Sequence, residues 1–147
     1  MPGRMKTAKK NKLISDPPKE FPFVVDPSHI YNTLSDEGLG EVDMGVYKFV
    51  FELCGKLEDD EQKCDGVTDF SKQTIKLEAF LPDLQARETI IHEIMHCMLE
   101  NLGLHEANFD QKSISITNEA LVYSLAKQFI LFYNLNPKFM AALFNEK

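Results

Sequence analysis

Long apolar runs are missing from this chain of 147 residues. No stretch approaches the roughly 20 residues that a membrane-spanning helix needs. The N-terminal charges are followed by no apolar segment and no small-residue cleavage site, so the start does not read as a secretory signal and the expected location is cytoplasmic. Cysteine is scarce: Cys54, Cys64 and Cys97 are an odd number, which favours reduced thiols over a disulfide framework. Internal repeats and low-complexity tracts are absent. Basic charge is also in short supply, with 16 Lys and Arg against 23 Asp and Glu and a net charge of -7. Six of those 16 basic residues fall within the first 20 positions, leaving 10 basic against 21 acidic residues in the rest. So acidic a body is a poor match for nucleic acid.

What is present is enough for one packed domain. Hydrophobic residues make up 44%, as in an ordinary globular protein, and the length suits a single core. Residues 1–22 hold Pro2, Gly3, Pro17, Pro18 and Pro22 among lysines and read as a flexible basic leader, with residues 23–147 as one domain. Asp26-Pro27-Ser28 resembles a helix start, with Ile30, Tyr31 and Leu34 on its apolar side and an end near Gly38 or Gly40; His29 is given no role. From Val46 to Leu53 the period becomes two, with Tyr47, Phe49, Phe51 and Leu53 on one face. An acidic connection over 57–63 follows. Residues 66–71 can form a short strand and a turn, and Ile75, Leu77 and Ala79 alternate with Thr74, Lys76 and Glu78. The expectation is an α+β fold with a small antiparallel sheet that has one buried face.

Pro82-Asp83 breaks into a long helix from about Leu84 to Leu102, closed by Gly103. Ile91, Met95, Met98, Leu99 and Leu102 form its expected apolar stripe, with Glu93 and Glu100 farther round. A second long helix is expected from about Thr117 to Asn134, burying Leu121, Leu125, Phe129 and Phe132. Asn136-Pro137 breaks it, and Pro137 can open a last short helix carrying Phe139, Met140, Leu143 and Phe144.

The chemistry lies on the first long helix, in His92-Glu93-Ile94-Met95-His96. At 3.6 residues per turn, positions four apart lie about 40° apart around the helix, one turn above the other. Two imidazoles placed so can bind one Zn²⁺, and the adjacent Glu93 can act as general base on a zinc-bound water. This H-E-x-x-H pattern is the signature of a zinc-dependent peptidase. Cys97 follows His96 directly, but its side chain points about 100° away around the helix and reads as a buried structural thiol.

A catalytic zinc commonly takes three protein ligands and leaves the fourth position open. Glu119, in Asn118-Glu119-Ala120 at the start of the second long helix, is the first choice for the third. His105 is the second candidate, although Leu99 and Leu102 occupy the glycine and final histidine positions of the longer H-E-x-x-H-x-x-G-x-x-H pattern. Glu100 shares the face of His96 and can either bind the ion or accept a hydrogen bond from that histidine. Donors for a developing oxyanion are left open among Tyr47, His105 and Tyr123.

Residues 88–96, preceded by a strand like that of Thr74 to Phe80 and followed by Asn118-Glu119-Ala120, resemble a minimal gluzincin. The similarity is greatest to the ImmA/IrrE-type metallopeptidases and the small H-E-x-x-H proteins of phage and prophage genomes, and it spans about residues 45–135. The resemblance implies a compact zincin-like core in which the sheet packs on the motif helix and the second long helix carries the third ligand. It implies His92, His96 and Glu119 as ligands, Glu93 as base, and an edge strand that aligns a peptide over the metal. Thermolysin-like enzymes place an aspartate four residues after the ligand glutamate; here that position is Tyr123, so Glu100 or a backbone carbonyl would have to orient the histidine. No separate DNA-binding domain of the kind some IrrE-type proteins carry is matched.

The expected function is therefore zinc-assisted hydrolysis of a peptide bond in a protein or peptide substrate, with Glu93 taking a proton from water and returning it to the leaving amine. The rival is a zinc-binding interaction or regulatory protein without peptidase activity. A zinc hydrolase of non-peptide amides would use the same ligands. The substrate and the oligomeric state are not legible in the sequence.

Overall fold

A computed structural model describes residues 26–59, 62–104 and 118–144, apart from the side chains of Asp59, Gln62 and Asn118. The leader, residues 23–25 and the His105 region lie outside the described residues. Helix α1 (Ile30–Asp36) is followed by strands β1 (Glu41–Asp43), β2 (Lys48–Cys54), β3 (Glu58–Asp59), β4 (Gln62–Lys63), β5 (Gly66–Asp69) and β6 (Thr74–Glu78). Helices α2 (Asp83–Asn101), α3 (Asn118–Leu135) and α4 (Pro137–Phe144) complete the fold. No described helix is long and apolar enough to cross a membrane.

The α+β class holds, but the sheet is mixed rather than antiparallel. Its order is β1-β2-β6-β5, and β3 with β4 forms a separate two-stranded ribbon. β1 runs antiparallel to β2 and β5 antiparallel to β6, whereas β2 and β6 are parallel, with Phe51 opposite Ile75 and Leu53 opposite Leu77. Connectivity explains the difference. The excursion through β3 and β4 reverses the chain into β5, and the hairpin to β6 reverses it again. β6 then inserts between β2 and β5 and runs the same way as β2, leaving β5 at the edge. Alternation alone fixes faces, not direction, so this pairing is not written in the period of two.

The faces themselves follow the alternation. Phe49, Phe51, Ile75 and Leu77 are buried beneath the helices, while Lys48 and Glu52 are exposed on the other side. The rings of Phe51 and Phe139 stack with centroids 5.6 Å apart, and Phe132 meets Phe139 edge-on at 5.9 Å. Tyr47, expected on the inner face, sits in the β1–β2 turn and is half exposed.

Both glycine-terminated helices end as expected, and for one reason. Gly38 and Gly103 adopt positive φ (68° and 71°). In α1, the N–H of Leu39 reaches the carbonyl of Leu34; in α2, that of Leu104 reaches Leu99, and Gly38 and Gly103 bond Ser35 and Glu100. These paired bonds satisfy the last carbonyls of each helix. His29, which the sequence leaves without a role, starts α1. Its Nδ1 accepts the N–H of Tyr31 at 3.1 Å, and its Nε2 lies 2.8 Å from the carbonyl of Leu81. Only the neutral tautomer protonated at Nε2 satisfies both contacts.

Two polar clamps tie the helices to the rest. Asp83 accepts the N–H of Ile30 through Oδ1 and the Nε–H of Arg87 through Oδ2, and Arg87 also donates to the carbonyls of Ala142 and Leu143 at the end of α4. One guanidinium thus neutralises the first-turn carboxylate of α2 and caps α4, where a cation is favoured. Asn136, between α3 and α4, is buried and copies a strand partner: its Oδ1 accepts the N–H of Asp43 at 2.8 Å and its Nδ2 donates to the carbonyl of Asp43 at 2.7 Å.

Helix faces are where expectation and structure part. The buried face of α2 comprises Ala86, Thr89, Ile90, Glu93, Ile94, Cys97 and Met98, so Met95 lies outside the core and Glu93 inside it. The hydropathy pattern turns polar Thr89 and Glu93 outward, but the sheet receives them. In α3 only Phe132 of the four expected core positions is buried; Leu121 and Leu125 are half-buried and Phe129 is 39% exposed. α3 rests on the fold mainly through its C-terminal part, where Leu131 and Leu135 stand beside Gly45.

Replacing Asn136 with Ala strands the N–H and carbonyl of Asp43 in a partly buried place. The expected loss is about 2 kcal/mol, since each unpaired buried polar group costs roughly 1–3 kcal/mol. Urea denaturation checks it: an unchanged midpoint would remove Asn136 from the clamp.

Candidate metal centre

The helical register of α2 brings the two histidines together. The Nε2 atoms of His92 and His96 are 3.1 Å apart, with ring centroids 4.7 Å apart and the planes at 76°. Two nitrogens about 2.05 Å from a tetrahedral ion would stand roughly 3.3 Å apart, so the imidazoles need only a small adjustment to share one. His92 is exposed and His96 half-buried. Among the described residues, His92, Glu93 and His96 are the one group of three whose ligand atoms all lie within 4.8 Å of one another.

Glu93 occupies a different setting from its neighbours. Its side chain is buried beneath β5, where Oε2 accepts a 2.6 Å hydrogen bond from the hydroxyl of Thr68, and Oε1 lies 4.0 Å from His92 Nε2. Thr68 was not visible as a site residue in the sequence; nothing in the local pattern relates it to a helix residue 25 positions later. Next to it on the inner side of α2, the thiol of Cys97 is pushed up to about 12, first by burial and then by the charge of Glu93. Cys97 is therefore a protonated packing group on the inner side of the helix, as its angle from His96 suggests.

Gly66 makes this approach possible. A Cβ there would lie 2.7 Å from Thr89 Cγ2 and 3.1 Å from Glu93 Cγ, so the strand and helix can close on each other only over a glycine. Along this contact runs an open groove of about 640 Å³, lined among others by Gly66, Thr89, His92 and Glu93 and bordered by Asp65 and Glu88. Among the described residues, no lysine or arginine lines it.

None of the remaining described candidates belongs to this group of three. Glu119 is exposed in the first turn of α3 and is not among the converging ligand atoms. Glu100 is half-buried one turn past His96. His105 lies outside the described residues. Of the oxyanion candidates, Tyr47 and Tyr123 are 50% and 62% exposed and neither lines the groove, and Lys127 sits over the ring of Tyr123 at 4.5 Å.

Two outcomes follow. Gly66→Ala forces strand and helix apart and is expected to cost about 1–3 kcal/mol, the usual range for overpacking. A denaturation midpoint equal to that of the unmodified protein would show that the contact has slack. In the native state, alkylation under mildly alkaline conditions is expected to modify the half-buried Cys54 and Cys64 but spare Cys97 until unfolding, read by mass spectrometry; rapid loss of all three thiols would contradict the burial described here.

Compared with known proteins, the chain matches no protein-family model, no curated protein and no solved structure.

Proposed function

We propose that this protein is a zinc-dependent metallopeptidase that hydrolyses peptide bonds of a protein substrate. The observation that carries the reading is the pair of Nε2 atoms 3.1 Å apart beside a buried carboxylate, on one helix and beneath an edge strand. His92 and His96 would hold the ion, and Glu119 is the proposed third ligand, which requires the exposed first turn of α3 to be brought to the histidines. The donor set suits zinc, for which imidazole nitrogen and carboxylate oxygen are ordinary ligands. When bound, zinc supplies Lewis acidity toward a carbonyl and lowers the pKa of a coordinated water to about 7.

The chain's own residues supply the rest. Thr68 fixes one oxygen of Glu93, leaving Oε1 on the side of His92 and Gly66. A carboxylate held so can take a proton from water and carry it to the departing amine, as a general base and then a general acid. β5 pairs with β6 on one side, and no described strand pairs with its other side. An extended peptide can add to such an edge by main-chain hydrogen bonds, which supports a peptide as the substrate over a compact amide.

The expected result with Glu93→Gln is zinc bound at one equivalent and no new peptide termini when a proteome-derived peptide library is analysed by mass spectrometry. The zinc-loaded parent should cut the same library. Cleavage retained by Glu93→Gln would take Glu93 out of the chemistry. No cleavage by the zinc-loaded parent, together with melting of the fold on chelation, would favour the interaction-protein alternative, because a structural metal contributes folding energy directly.

A further inference from the structure

α3 carries an apolar surface that no described element covers. Val122, Tyr123, Ile130 and Tyr133 are 57–65% exposed and Phe129 is 39% exposed. At about 100° per residue these five fall within an arc of roughly 120°. Phe144, at the end of α4, is 61% exposed and lines the same small apolar cleft as Phe129, which extends the surface onto α4. With full side-chain areas of roughly 150–250 Å² for the aromatics, these residues present on the order of 700 Å². Monomers rarely leave so large a continuous apolar patch, and a stable interface buries about 800 Å² per partner.

We propose that this face joins two copies of the chain in a symmetric dimer, with the two α3 helices packed antiparallel. Three features select a second copy. Val122, Ala126, Phe129 and Tyr133 follow a 4-3-4 spacing, the repeat that seats side chains of one helix between those of another. Exposed Ala126 stands near the middle, where a small side chain lets two helix axes come close, and a two-fold axis there sets Val122 against Ile130 of the partner subunit. Charge points the same way. The chain has a net charge of -7, so two copies repel over most of their surfaces. Residues 118–144 carry only Glu119, Lys127 and Lys138, and Lys127 is folded over the ring of Tyr123 at the margin. This is the region where two acidic copies can meet without opposing carboxylates: the one acidic group, Glu119, falls opposite a tyrosine, and Lys127 stays at the margin. A membrane surface is a poorer occupant, since interfacial helices flank their apolar face with many lysines and arginines.

Sedimentation equilibrium of the full chain tests this. The expected mass is twice the 16.8 kDa of one chain at micromolar concentration, unchanged or favoured when salt is raised, because the contact holds no ion pairs. Ile130→Glu, at a 65% exposed position, should weaken association by more than about tenfold with an unaltered far-ultraviolet circular dichroism spectrum. Val122→Glu should do the same at the other end of the seam. A parent protein that stays at 16.8 kDa at every concentration overturns the proposal, whether its α3 amides are protected by another segment of the chain or it sediments with phosphatidylcholine vesicles. A dimer that survives both substitutions overturns it equally.

Discussion

The bond between Thr68 and Glu93 is the constraint on which the site depends. A carboxylate moved from water into a protein interior without a partner costs several kcal/mol, on the order of the whole stability of a small domain. Here the charged group lies under a strand, and one hydroxyl 2.6 Å away meets it. That strand must come close enough to reach, and Gly66 allows the approach. Once Glu93 is turned inward, the helical period settles the rest. His92 falls on the exposed margin of α2 and half-buried His96 one turn further on, with their Nε2 atoms converging beside Glu93. The polar arrangement follows from the packing of β5 on α2.

Much of this was legible because it is local. The H-E-x-x-H spacing, the apolar sides of β2 and β6, and the glycine ends of α1 and α2 each rest on residues within a turn or two of one another. The parts that escaped are non-local. The parallel pairing of β2 with β6 depends on a chain excursion, not on any period. Asn136 reads as a break before Pro137, and only the folded chain shows it gripping Asp43 from 93 residues away. The inner face of α2 was misplaced because hydropathy treats Glu93 as a surface residue. A site that buries a carboxylate breaks the very pattern used to find the core.

α3 shows the opposite failure. Its spacing of large apolar groups promises burial, and the fold supplies it only for Phe132. An amphipathic pattern states that a face needs covering, without naming what covers it. In this chain the uncovered arc lies on the helix whose first turn also carries Glu119, so its packing bears on where that carboxylate stands relative to the histidines.

The central claim is that two imidazoles on α2, with a carboxylate, hold one divalent ion while Glu93 stays beneath the strand. X-ray absorption at the zinc edge of the metal-loaded protein tests it most directly. The account predicts two histidine nitrogens at about 2.0–2.1 Å, with oxygen completing a four-coordinate shell, and loss of that imidazole signature in His92→Ala and His96→Ala. A shell of oxygen alone, or a protein that leaves dialysis without zinc, would contradict it.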